Sequence, residues 1–227
     1  MIDGIIVLVI IVFGVMGYKK GLFQSITTLC SSILALVLSF IIYPAINTMI
    51  KLTPIYTSIY NGVFKKIEVI EFGKGIQSQG SAILENITWL PQFLTVQIKD
   101  NNNTAMYELL GAKTIQEYVS SYITNMIISI IAIVITWLLL KIVLTTVFKL
   151  LGSIVESLPI VSNLNSGIGL ILGLVKGVLM LSIISLLIPL FITIPSFQYV
   201  SQSIEGSILA KWFYENNFIL MIYNYFI

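Results

Sequence analysis

The chain has 227 residues, of which 57% are hydrophobic and only 10% are charged, and its formal net charge is +2. A soluble domain carries about 25% charged residues, so this composition excludes an ordinary soluble domain and indicates a membrane protein. Every basic residue is lysine, and the absence of arginine argues against dedicated phosphate or nucleic-acid recognition. The chain has no histidine and one cysteine, Cys30, so we expect no metal site, no cofactor and no intrachain disulfide.

Two apolar runs open the chain. The first extends from Ile5 to Tyr18, or from Ile2 if the whole span is counted, and is followed by Lys19, Lys20 and a glycine. A signal peptide carries its positive charges before the apolar region, so this run is predicted to be a retained helix. The second run extends from Leu22 to about Ile46 and ends near Pro44. Because only a tight turn separates the runs, residues 1–46 are predicted to form a first transmembrane hairpin.

Residues 47–120 are more polar, and their lysines are balanced by carboxylates. Thr53 and Pro54 have the form of a helix N-cap followed by proline at the first helical position. Residues 114–117 have the form of a capping box at the start of the next helix. We therefore predict short amphipathic helices on the extracytoplasmic or interfacial side of the membrane.

Residues 121–195 are predicted to form a second transmembrane hairpin. Its spans extend from Ile123 to Leu140 and from about Gly167 to Ile194. Residues 196–227 are rich in tyrosine, tryptophan and phenylalanine, which is typical of a helix at the membrane interface. The predicted fold is thus an all-α membrane protein with about four transmembrane helices in two hairpins and interfacial amphipathic helices.

The distribution of lysines predicts the orientation. Cytoplasmic loops carry an excess of basic residues, and an N-terminus outside the cytoplasm would place five lysines on the cytoplasmic side. With this choice both termini lie outside. The five residues are Lys19, Lys20, Lys141, Lys149 and Lys176.

Small residues recur at helical spacing in at least three of the predicted spans; those of the third span lie on the line of Asn125, Ser129, Ala132 and Thr136. The last span carries Gly169, Gly173 and Gly177 four residues apart, a surface on which two membrane helices can pack backbone to backbone. Such surfaces form contacts within one protomer or between protomers, and hydroxyl-bearing faces can also line a path for ions or a small solute. The second span carries a similar seam, which consists of Ser25, Thr28, Ser32, Ala35 and Ser39.

Two charged residues lie within or beside the spans. Lys176 either extends to the cytoplasmic edge and anchors its helix or lies deeper and needs a partner, for which Glu156 is the nearest candidate in sequence. Asp3 stands at the head of the first helix, where we expect it to interact favourably with that helix's N-terminus.

The opening acid, the short span and the sequence Gly17-Tyr-Lys-Lys-Gly21-Leu-Phe resemble the start of the CvpA family of colicin V production proteins. The segment with Pro159, Leu164, Asn165 and the glycine stripe is similar to that family's last span. The resemblance covers residues 1–46 and 121–195. It implies a multi-pass protein of the bacterial cytoplasmic (inner) membrane, accessory to toxin production or export or to envelope maintenance.

No catalytic motif is present, so we expect a non-enzymatic protein. The alternative is a small channel or transporter subunit with a path lined by serine, threonine and glycine. An enzyme ranks third, because no acid, base and nucleophile are assembled by the sequence. The expected partners are the lipid bilayer and either further copies of the chain or other membrane proteins, and not nucleic acid.

Overall fold

The computed structural model describes residues 2–152, 162–193 and 197–226. Within those ranges every regular element is a helix, which confirms the all-α prediction. The helices are α1 (Ile2–Lys51), α2 (Pro54–Ile67), α3 (Ile76–Asn86), α4 (Gln92–Asp100), α5 (Thr104–Leu110), α6 (Ile115–Gly152), α7 (Ser162–Ser185), α8 (Ile188–Thr193), α9 (Gln198–Glu205), α10 (Ile208–Glu215) and α11 (Phe218–Phe226).

Three stretches of helix in the described ranges are long and apolar enough to cross a membrane. They are Ile2–Lys51, Ile115–Phe148 and Asn165–Thr193. The sequence predicted four spans, and the number differs because the first two apolar runs are joined into the single element α1. The helix also continues past Pro44, where we expected it to end, as far as Lys51.

A sharp break divides α1 at Gly21. An unbroken helix of 50 residues would be about 75 Å long, far more than the thickness of a bilayer. Gly21 instead has φ 72° and ψ −178°, a conformation that favours glycine and that no helix contains. The hydroxyl of Ser25 donates to the carbonyl oxygen of Gly17 at 3.3 Å, although residues eight apart are about 12 Å apart along a straight helix. The chain therefore changes direction at this glycine.

The two parts of α1 pack on different helices. The part before Gly21 lies along α7, with Gly17 opposite Gly169. The part after Gly21 lies along α6, where the hydroxyls of Ser31 and Thr145 are 3.2 Å apart and the Asn47 amide donates to the Ser129 hydroxyl at 3.0 Å. Numbers rise along one helix and fall along the other in both pairs, so both contacts are antiparallel.

The helices α2–α5 pack on this bundle through their apolar faces. Thr53 caps α2, and its hydroxyl oxygen accepts from the Ile55 amide at 3.3 Å, as the sequence predicted. The side chain of Thr114 likewise accepts from the Glu117 amide at 3.2 Å at the start of α6. The fully buried side chains of this region belong to the same core as α6, so protein covers much of the region's apolar surface. These side chains are Val63, Ile67, Ile83, Ile87, Leu94 and Ile98.

The C-terminal tail forms three short helices, α9–α11, where the sequence predicted one interfacial helix. Ile219, Leu220 and Tyr223 are buried in the main core. Tyr214 is also buried, and its hydroxyl donates to the carbonyl oxygen of Trp89 at 3.0 Å. Burial raises the pKa of the Tyr214 hydroxyl, so it remains a donor. The aromatic residues of the tail thus contribute to packing as well as to the surface.

Candidate functional site: the glycine contact between α1 and α7

The three glycines of α7 face the backbone of α1. A Cβ atom on Gly169 would meet the carbonyl oxygen of Gly17, and one on Gly173 would meet the carbonyl oxygen of Phe13. A Cβ atom on Gly177 would lie 3.1 Å from the Cα atom of Ile10. Because backbone atoms cannot rotate away as a side chain can, a larger residue would push the two helices apart. The stripe is therefore engaged within one chain, which is one of the two arrangements the sequence left open.

Glycines on α1 complete the contact from the other side. A Cβ atom on Gly17 would meet the backbone of Gly169 and Gly173, whereas one on Gly14 would meet the flexible side chain of Leu174 at 2.7 Å. Sequence reasoning identified only the α7 half of this contact. The four-residue spacing of Gly17 and Gly21 was the signal for the α1 half, and it lies in the same segment that carried the family resemblance.

Asn165 joins the start of α7 to the break in α1. Its side-chain oxygen Oδ1 accepts a hydrogen bond from the Leu22 amide at 2.6 Å. Leu22 is the first residue after the break, where a helix has backbone N–H groups without an intrahelical partner. Asn165 acts as an N-cap supplied from a distant part of the chain. The fit is close, because a Cβ atom on Gly21 would lie 2.9 Å from the Asn165 amide nitrogen.

The small-residue seam of α1 faces α6. Ser32, Ala35 and Ser39 have no surface that a water molecule can reach, Ser25 is also buried, and Thr28 is partly buried. The hydroxyl of Ser32 donates to a carbonyl oxygen of its own helix at 2.8 Å, and that of Ser39 does so at 2.6 Å. These hydroxyls donate their hydrogen bonds within the protein and therefore need no water molecule as a partner.

Trp137 of α6 covers the seam. Its indole Nε1–H donates to the carbonyl oxygen of Ser32 at 3.0 Å, and the side chain is almost completely buried. A carbonyl in the middle of a helix normally accepts only from the amide four residues later, so this bond adds a second partner. The close approach of such a large ring requires small residues on α1.

The predicted topology lysines occupy different environments. Lys19 and Lys20 are exposed beside the break at Gly21. Lys141 lies inside α6, which continues for eleven residues beyond it to Gly152. Its ammonium nitrogen is 4.4 Å from the ring centroid of Trp137 and 3.6 Å from the sulfur of Met180. A cation over the face of a desolvated indole gains about 2 kcal/mol. The side chain of Lys149 lies outside the described residues.

Lys176 is partly buried between α7 and the first part of α1. It lines a small recess of about 10 Å³ that Lys20 also lines. Lys20 and Lys141 are near enough to repel it electrostatically. Glu156, the partner considered from the sequence, lies outside the described residues.

Asp3 binds the start of α10, whereas the sequence suggested the N-terminus of its own helix as its partner. Its carboxylate oxygen Oδ1 accepts from the Ser207 hydroxyl at 2.7 Å and from the Leu209 amide at 2.8 Å. A carboxylate at a helix N-terminus is favoured by the exposed N–H groups and by the helix dipole. This contact joins the first residues of the chain to its C-terminal tail.

Asn217 fastens the tail to the end of α7. Its amide nitrogen donates to the carbonyl oxygen of Ser182 at 2.8 Å and to the hydroxyl of Ser185 at 2.7 Å. Its side-chain oxygen accepts from the Ile219 amide at 3.0 Å, at the start of α11. The whole side chain is buried, so each of these bonds replaces one that water could otherwise make.

The sequence profile described as colicin V production protein matches residues 105–217 of the chain. The chain belongs to the colicin V production protein family. The matched region includes α6, α7 and α10, and so it contains Asn165 and the glycine stripe. It does not include residues 1–46, the other part of the sequence resemblance, but these residues form the opposite face of the same contact. Neither a curated protein nor a solved structure matches the chain.

Proposed function

We propose that this member of the colicin V production protein family is a non-enzymatic, multi-pass protein of the bacterial inner membrane. Its role is to assist toxin production or export, or to maintain the envelope, through contacts of its packed helices. The match to the family profile is the observation that carries this proposal. The packing supports it, because the glycine and serine faces make structural contacts and their hydroxyls are engaged by backbone carbonyls.

The proposed arrangement has four crossings in two hairpins, with both termini outside. The part of α1 before the break would be about 28 Å long, enough to cross the hydrocarbon core of a bilayer. The contact between Ser25 and Gly17 supports a reversal at Gly21, where Lys19 and Lys20 would mark the cytoplasmic side. The Asp3 contact supports placing the N-terminus and the tail on the same side.

The small-channel alternative has less support. A polar path requires hydroxyls that can reach water, and Ser32 and Ser39 have no such surface in the described packing. Solute flux through proteoliposomes tests this alternative directly. Flux in the wild type that is lost on Ser32→Ala or Lys176→Met substitution would replace the accessory role with a transport role.

A complementation experiment tests the proposed role. The gene is deleted from its host, and the wild type, Gly173→Leu or Gly167→Leu is expressed in its place. We expect Gly173→Leu to fail, because even a Cβ atom there meets the Phe13 carbonyl, whereas a Cβ atom on Gly167 has nothing within 4 Å. Toxin release is measured by inhibition of an indicator strain, and envelope integrity by sensitivity to detergent.

Gly167→Leu is the matched control, since it makes the same substitution on the same helix. Immunoblots of the membrane fraction report the amount of each variant. A deletion that changes neither toxin release nor detergent sensitivity would contradict the proposed role. Full activity of Gly173→Leu at a normal protein level would show that the proposed role does not need the close helix contact.

A further inference from the structure

A cleft of about 1000 Å³ lies between the C-terminal tail and the connection from α3 to α4. Buried apolar side chains form part of its wall, among them Ile87, Leu90 and Ile204. Cavities that bind small molecules occupy about 300–1000 Å³ and combine an apolar wall with a few polar groups, so this cleft is large enough to hold a ligand. The exposed polar side chains that line it are Thr88, Gln92, Glu205, Lys211 and Glu215.

One side of the cleft is formed by the end of a stretch that is long and apolar enough to cross a membrane. Ile192 lines the cleft and is the last residue but one of this stretch, Asn165–Thr193, which is 29 residues long. At the helical rise the stretch covers about 43 Å, and a bilayer with its headgroup layers is about 40–45 Å thick. Trp212, the neighbour of Lys211 in sequence, is 55% exposed, as tryptophan often is in the headgroup layer. The cleft is therefore within reach of phospholipid headgroups.

An exposed ion pair gives the cleft opposite charges side by side. The ammonium group of Lys211 is 3.7 Å from a carboxylate oxygen of Glu215, and both side chains are more than half exposed. An exposed pair contributes little to stability because water screens it, so its charges remain available to a ligand. Glu205 adds a second carboxylate to the lining, and it has no ion-pair partner among the described residues. The charged side chains that line the cleft are thus one cation and two anions.

We propose that this cleft binds a zwitterionic phospholipid whose headgroup carries a primary ammonium group, as in phosphatidylethanolamine. The Lys211 ammonium group would donate to the phosphate as a point charge, and the headgroup ammonium would donate to the Glu215 carboxylate. An acyl chain would extend along the apolar wall toward Ile192, where the cleft meets the apolar stretch. Glu205 and Glu215 repel a headgroup with a net negative charge, and a quaternary ammonium group has no N–H to donate.

Thermal unfolding of the purified, delipidated chain in a neutral detergent tests the proposal. The lipid probes are phosphatidylethanolamine, phosphatidylcholine and phosphatidylglycerol with the same acyl chains, and phosphoethanolamine serves as the headgroup without chains. We expect phosphatidylethanolamine to raise the Tm by about 4 °C or more, and the other three probes to raise it much less.

Two variants should lose most of this increase. Lys211→Met removes the cation, and Thr88→Trp fills the cleft without changing its charge. Each has a matched control that makes the same substitution at an exposed residue outside the cleft lining. Lys99→Met is the control for lysine, because Lys99 also belongs to an exposed ion pair, and Thr57→Trp is the control for threonine.

Each further outcome has a defined meaning. An equal increase with phosphatidylcholine or phosphatidylglycerol would overturn the proposal, because the headgroup would not be recognised, and an equal increase with phosphoethanolamine would overturn a lipid as the ligand. Equal losses in a variant and its control would show that the increase does not arise at the cleft. If no phospholipid raises the Tm, the proposal is wrong and the cleft is left for a polypeptide. If Lys211→Met does not fold, Thr88→Trp still decides, and none of these measurements depends on toxin release.

Discussion

The side chain of Asn165 forms a hydrogen bond with Leu22, which lies 143 positions earlier in the chain. Its oxygen satisfies the Leu22 amide, which the break at Gly21 leaves without a partner in its own helix. Replacing a capping side chain by alanine costs about 1 kcal/mol in typical helices. The cost is larger where the freed N–H is shielded from water, and this hydrogen bond is partly buried.

We expect Asn165→Ala to lower the free energy of unfolding by about 1–2 kcal/mol, because the Leu22 amide loses its acceptor. Asn165→Asp keeps an oxygen in the same position and should retain most of the stability. Chemical or thermal unfolding of the purified variants in detergent measures the difference. If alanine and aspartate variants unfold alike, the hydrogen bond has no stabilising role.

Sequence reasoning recognised half of this site at the residue scale. The spacing of Gly169, Gly173 and Gly177 was enough to predict a close helix contact, since spacing on a helix is a local property. The partners of those glycines could not be predicted, because Gly17 and Asn165 lie in separate segments and nothing local specifies their pairing. The same limit applies to Asp3, whose own helix offered a plausible partner while the structure provides the start of α10.

The tail illustrates what determines an element's position. The aromatic residues of residues 196–227 suggested an interfacial helix, yet α10 and α11 are held by Asp3 and Asn217 and bury several of their rings. Composition gives the affinity of a segment for an interface, and it does not reveal a buried polar network that docks the segment on protein. A similar limit applies to Lys141, which the sequence predicted to follow the end of a span. It lies within α6, where its ammonium group contacts the ring of Trp137.

We expect Asp3→Ala to loosen the tail without unfolding the bundle. The Ser207 hydroxyl and the Leu209 amide would both lose their acceptor, so α10 should open more often. Hydrogen exchange of residues 208–215, followed by mass spectrometry, should become about tenfold faster.

Glu205→Ala is the control for this change, since Glu205 is an exposed acid in the same tail. It should leave exchange in residues 208–215 close to that of the wild type. Equal protection in Asp3→Ala and Glu205→Ala would show that the contact with Asp3 does not hold the tail.

For the molecule as a whole, composition alone was sufficient for the class. The apolar content predicted a helical membrane protein, and the described structure has three stretches long enough to cross a membrane. The number of crossings is harder to predict, because it depends on whether Gly21 bends or reverses the chain. The contacts of Gly17, Ser25 and Asn165 bear on that choice, and Asn165 is remote in sequence from the other two residues.

Accessibility of single cysteines would determine the number of crossings and the orientation. In a Cys30→Ser background, cysteine is introduced at Lys19, Ser78 or Glu215, all of which are exposed. We expect an impermeant maleimide to label positions 78 and 215 in intact cells and position 19 only after the membrane is permeabilised. The Cys30→Ser chain without a new cysteine gives the background. Labelling of position 19 in intact cells would contradict the proposed four crossings with both termini outside.

The contact between α1 and α7 also has a consequence for biosynthesis. The surface of Gly14 and Gly17 is translated first, whereas its partners from Asn165 to Gly177 are translated about 150 residues later. At about 5–20 residues per second, the ribosome needs roughly 8–30 s to supply them. During this interval the first helix has its glycine face against lipid or against other membrane proteins. The nascent chain therefore passes through a period in which membrane chaperones and proteases can bind a surface that the finished protein conceals.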